Sequence, residues 1–96
     1  MEESLAILKE SDILWDKAKK LWKKADKIWS AQEVIREKLI LQAKKKLPTS
    51  ELAQRAFRLA IEAREIEEEA WRLEEQAFAK DQEAYQKFQE TYQKPQ

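Results

Sequence analysis

The sequence predicts an all-α protein: two long helices folded as an antiparallel hairpin, with two such hairpins dimerising into a four-helix bundle. Three observations predict it. The chain of 96 residues has no glycine, only two prolines and 40% charged residues, most of them Glu and Lys interspersed with Ala, Leu and Gln, so nearly every position favours helix. Apolar residues recur at alternating steps of four and three. The one internal breaker, Pro48, stands at the middle of the chain.

The first helix is expected over about 3–46, starting between Glu2 and Leu5, with Ser11-Asp12 as an alternative cap that would leave the first ten residues as a separate short turn. Lys44, Lys45 and Lys46 put positive charge where the helix dipole is negative. The turn is expected at 47–50. After Pro48, Thr49 or Ser50 can cap a second helix that has Glu51 in its first turn and runs over about 50–93, stopping before Pro95. Its glutamine-rich end is the part expected to fray. So short a connection lays the helices side by side in opposite directions, with arms of ~65 Å. Residues 1–96 therefore form a single domain.

In the first helix Leu14, Leu21, Ile28 and Ile35 repeat every seven residues, and Ala18, Ala25, Gln32 and Leu39 repeat four places later. Together they form a heptad seam. Trp15, Trp22 and Trp29 make a second row ~100° around the helix. The second helix carries Leu52, Leu59, Ile66 and Leu73 in one row and Ala56, Ala63, Ala70, Ala77 and Ala84 in the next. Phe57, Trp71, Phe78, Tyr85 and Tyr92 flank them, interrupted by Arg64. Lys80 breaks the leucine row and is expected at the rim, with Phe78, Tyr85, Phe88 and Tyr92 taking over the apolar face as a straight helix drifts. The apolar sector of each helix is wider than one partner helix covers, so folding should be coupled to dimerisation. The expected interface comprises Leu14, Trp15, Leu21, Trp22, Ile28, Trp29, Ile35, Phe57, Ala63, Ile66, Ala70, Trp71, Phe78 and Tyr85.

Charge agrees with pairing. Met1–Leu47 has 12 basic and 8 acidic residues, net +4, and Pro48–Gln96 has 7 and 11, net −4. Antiparallel helices of opposite sign attract, which sets register and partner choice more than stability, because exposed pairs contribute only about 0 to 1 kcal/mol each.

Alanine at every seventh position resembles the alanine-rich antiparallel coils of Rop-type helical hairpins. The absence of Gly, Cys and His, the strict heptads and the Pro48-Thr49-Ser50 turn are similar to computationally designed, de novo helical bundles. These resemblances imply architecture and carry no functional residues.

Enzymatic activity is not expected. Without His or Cys there is no Ser/His/Asp or Cys/His nucleophile, and no Glu-x-x-His pair for a di-metal bundle site. Catalytic residues, metal ligands and cofactors are accordingly assigned to none. The glutamates at 65, 67–69, 74 and 75 are expected on a solvated face. The lysine-rich segment Trp15–Trp29, taken alone, looks like a membrane-surface or calmodulin-target helix, but the acidic second arm offsets its field, which argues against membrane or nucleic-acid binding. The apolar runs are far shorter than the ~20 residues a spanning helix needs. The acidic Met1-Glu2-Glu3 start does not resemble a secretory signal. A soluble, cytoplasmic chain is the default expectation, and nothing in it names a compartment. The expected function is a self-assembling structural scaffold acting as a homodimer. The alternative is a binding module that takes a partner helix, or a small apolar ligand, in the aromatic and alanine-lined groove.

Overall fold

The computed structural model describes residues 2–93, and side chains as far as Thr91. Two helices, α1 (Glu2–Lys44) and α2 (Ser50–Gln93), pack as an antiparallel hairpin. Tyr92, expected on the apolar face, lies outside the described side chains.

Helix α1 runs without a break past Ser11-Asp12, so the alternative cap there is not used. Ser11 is buried between the helices instead. The helix also ends two residues before the expected position. Lys46 adopts a left-handed backbone with φ 58°. Its N–H donates to the Ala43 carbonyl at 3.0 Å, and the Leu47 N–H donates to the Gln42 carbonyl at 2.9 Å. That pair of bonds is a Schellman closure, which satisfies carbonyls the helix end would leave open. It normally uses glycine in the left-handed position, and this chain has none. Thr49 then caps α2, its carbonyl accepting the first helical bond from Ala53 at 2.9 Å.

The hairpin comprises two compact units, a turn unit, Leu21–Glu68, and an open-end unit of the residues up to Lys20 together with those from Glu69. In the turn unit Ala25, Ile35, Ala56 and Ala63 are buried, and Leu21, Ile28, Leu39, Leu52, Leu59 and Ile66 are half-buried around them. In the open-end unit Ser4, Ile7, Ser11, Ala18, Ala70, Ala77 and Ala84 are buried. The small residues of each helix thus occupy one heptad position: 4, 11, 18 and 25 on α1, and 56 through 84 on α2. With side chains no larger than a methyl or hydroxymethyl there, the backbones approach closely, and the larger aliphatic row is left along the edge of the seam.

The expected drift of the apolar face toward the end of α2 is seen only at Phe88, which is half-buried. Ala77 and Ala84 remain buried, Lys80 and Lys87 are half-buried in line with Leu73, and Phe78 and Tyr85 face outward. The heptad is kept because the facing α1 row offers Ser4 and Ser11, small enough for close approach and able to hydrogen-bond, where aromatic rings would not fit.

Candidate interaction surface

The residues expected at an interface separate into two groups. Ile35, Ala63 and Ala70 are buried, and Leu14, Leu21, Ile28 and Ile66 half-buried, all on seam positions of their helices. Phe57, Trp71, Phe78 and Tyr85 are 67%, 62%, 58% and 58% exposed. Trp22 and Trp29 are half-buried and Trp15 is 37% exposed, so the α1 tryptophans stand between the groups.

The outward row on α2 follows from its register. Residues 57, 71, 78 and 85 each come one place after a buried alanine, and that step turns the side chain ~100° away from the seam. Arg64 occupies the intervening heptad position. Within the open-end unit Trp71, Phe78 and Tyr85 follow one another at seven-residue steps on this side of α2.

In the open-end unit this row joins the tryptophan side of α1. Trp15 Nε1 donates to Asp81 Oδ2 at 3.1 Å, and the Ser11 hydroxyl donates to Asp81 Oδ1 while lying 3.2 Å from the Ala77 carbonyl oxygen. Ser11 and Trp15 are one helical turn apart, so a single carboxylate of α2 is gripped from two successive turns of α1. Phe78 and Tyr85 lie three before and four after Asp81, hence beside it on the helix surface. Trp15 is thereby held on the side of the hairpin that carries Phe78 and Tyr85. The indole of Trp71 is committed as well, donating to Glu75 at 2.8 Å. With both N–H groups engaged inside the chain, the rings present apolar surface outward.

Along the seam of the same unit, Lys80 pairs with Glu10 at 3.1 Å and Lys87 with Glu3 at 2.7 Å. The hydrogen bond from Lys87 holds the Glu3 carboxyl below its ordinary value of 4.5, and bonding to Glu10 and Glu3 raises Lys80 and Lys87 above 10.5. Lys80 is thus a rim lysine with a defined partner. Ser4, Ser11 and Asp81 are the residues that sequence reasoning missed. The signal was present for the serines, since 4 and 11 extend the 18 and 25 heptad.

The turn unit has a shallow cleft lined by Gln42, Pro48, Ser50, Glu51, Leu52, Gln54 and Arg55, a polar setting unlike the aromatic row. Among the described residues no three acidic side chains are grouped so as to hold a metal ion, and no helix is long and apolar enough to cross a membrane. No family model, curated protein or solved structure matches the chain. Fold and surface define its class as a helical hairpin that presents an aromatic face.

Proposed function

We propose that the chain is a self-assembling scaffold whose activity is homo-oligomerisation through the aromatic side of the hairpin, with no catalytic role. The observation that carries this reading is the set of Trp71, Phe78 and Tyr85 in the open-end unit, each more than half exposed on a helix whose other face is already seated. Fully burying such a ring contributes about 1.5 to 3 kcal/mol, so covering the part of each that is still exposed favours association. An apolar ligand inside a single hairpin is less favoured, because Ala25, Ala63, Ala70, Ala77 and Ala84 are at 0% exposure and the close backbones take up that space.

Sedimentation of the intact chain at micromolar and nanomolar concentration tests the proposal, alongside the double variant Trp71→Gln with Phe78→Gln. The wild-type mass should be dimeric at micromolar concentration. The variant should associate at least tenfold more weakly while keeping its helicity, since the two rings lie outside the seam. A fully helical monomer at every concentration removes the scaffold reading and leaves a separate partner helix as the occupant of the aromatic face.

A further inference from the structure

The exposed rings of the open-end unit stand in acidic surroundings. On a helix, the side chains three and four positions away are a residue's surface neighbours. From Glu69 onward, those of Trp71 are Glu74 and Glu75, and those of Phe78 are the same two glutamates with Asp81 and Gln82. Those of Tyr85 are Asp81, Gln82, Phe88 and Gln89. Three carboxylates thus border the row, and no lysine or arginine holds any of these positions.

The bases between Glu69 and Thr91 are Arg72, Lys80 and Lys87, and they are turned elsewhere. Lys80 and Lys87 reach across the seam to Glu10 and Glu3, at 3.1 and 2.7 Å. Arg72 follows Trp71 by one residue, ~100° further round the helix. On α1, Trp15 is bonded to Asp81, and its exposed neighbours Asp12 and Lys19 offset each other in charge. Asp16 and Lys20 pair together at 3.1 Å. The surface around Trp71, Phe78 and Tyr85 is therefore net negative.

Rings bordered by carboxylates suit cations. A lysine or arginine side chain lays its methylene stem on apolar surface and keeps its charged head at the edge. The ring faces attract that head, and a nearby carboxylate gives it a charge-assisted hydrogen bond. The rings recur every seven residues over about 21 Å from Trp71 to Tyr85, a length that one apolar stripe of a second helix can follow. A second copy that brings the same row brings the same carboxylates, so like charges meet. A cationic helix brings the opposite charge and is the better match.

We infer that the row of Trp71, Phe78 and Tyr85 docks an amphipathic helix of another protein, one that carries lysine or arginine beside its apolar stripe. This partner goes beyond self-association and competes with the second copy for the same rings. The intact chain is titrated calorimetrically with a leucine–lysine peptide of amphipathic helical pattern and with a leucine–glutamate peptide of the same pattern. The lysine peptide should bind about tenfold more tightly or better, and its affinity should fall as salt rises. Glu74→Gln with Glu75→Gln keeps an acceptor for the Trp71 indole and should weaken the lysine peptide about threefold or more. Trp71→Gln with Phe78→Gln should weaken it about tenfold or more. Equal affinity for the two peptides, or no loss when the glutamates are neutralised, overturns the charge match. Undiminished binding to the variant lacking the two rings places the peptide elsewhere and overturns the site. Sedimentation separates this inference from self-association. A dimer that the lysine peptide neither binds nor dissociates leaves the second copy as occupant and overturns the inference alone. A monomer that binds the peptide with both dependences supports it and removes self-association alone.

Discussion

At the scale of single residues, Lys46 and Asp81 respond to replacement in opposite directions. Lys46 sits at φ 58°, where a Cβ crowds the backbone and glycine does not. Lys46→Gly is therefore expected to stabilise the fold by about 0.5 to 1 kcal/mol, read as a higher denaturant midpoint with unchanged slope. The gain from relieving the left-handed strain exceeds the entropy glycine adds to the unfolded chain. Asp81 works the other way. Asp81→Ala leaves the Ser11 hydroxyl, at 0% exposure, without its carboxylate, and frees the Trp15 N–H. A loss of about 1 to 3 kcal/mol is expected, with tryptophan emission shifting as the Trp15 indole changes its partner. These sites were hard to see in the sequence for different reasons. Three lysines before a proline advertise a helix end but not which of them turns left-handed. Asp81 looks like any surface acid until the antiparallel register brings Ser11 and Trp15 to it.

At the scale of the helices, the alanine row sets the spacing. Ala70 is at 0% exposure, and a leucine in its place must push the backbones apart or leave its rotamer well. Ala70→Leu should cost about 1 to 3 kcal/mol, whereas Ala79→Leu on the exposed face should be nearly neutral; thermal melts of the two variants make the comparison. Helix number, helix type and the place of the turn were legible because composition, heptad spacing and Pro48 all agree. The fate of the row beyond Leu73 was not. Periodicity alone allows either a drifting apolar face through Phe78 and Tyr85 or a heptad that tolerates Lys80 and Lys87. The choice is made by Ser4 and Ser11 on the other helix, some 70 residues away in sequence for the Ser11 to Asp81 contact.

For the molecule as a whole, the two units differ in what joins their helices. Leu and Ile line the seam of the turn unit, while the open-end unit adds Lys80 to Glu10 and Lys87 to Glu3. Glu3 has its pKa lowered on folding, so its contribution is present above its ordinary 4.5 and fades as pH falls through the lower folded value. Lys80 and Lys87 have theirs raised, so their contribution is complete below 10.5 and fades as pH climbs through the higher folded value. Glu3 is exposed and the two lysines are only half-buried, so water screens these pairs and the effect is small. Hydrogen exchange resolved along the chain should show amides near residues 3–10 and 80–87 losing protection in acid, in strong alkali and in high salt, ahead of those near 25–35 and 56–66. A uniform response across both segments would contradict this. The aromatic face was legible as a set of rings, but which of them the hairpin itself covers depended on the exact angle of each row to the seam.

The turn has a practical consequence. Lys44, Lys45 and Lys46 are exposed and Leu47 follows outside the helix, so a trypsin-like protease finds consecutive cleavable bonds at the one break in helix among the described residues. A single nick there yields two peptides, one carrying the lysine-rich helix and the other the glutamate-rich helix, each with half of every seam contact. Neither half can bury its alanine or serine stripe alone, so the pieces have reason to find each other again, and the hairpin becomes a two-component complementation pair whose reassembly responds to ionic strength.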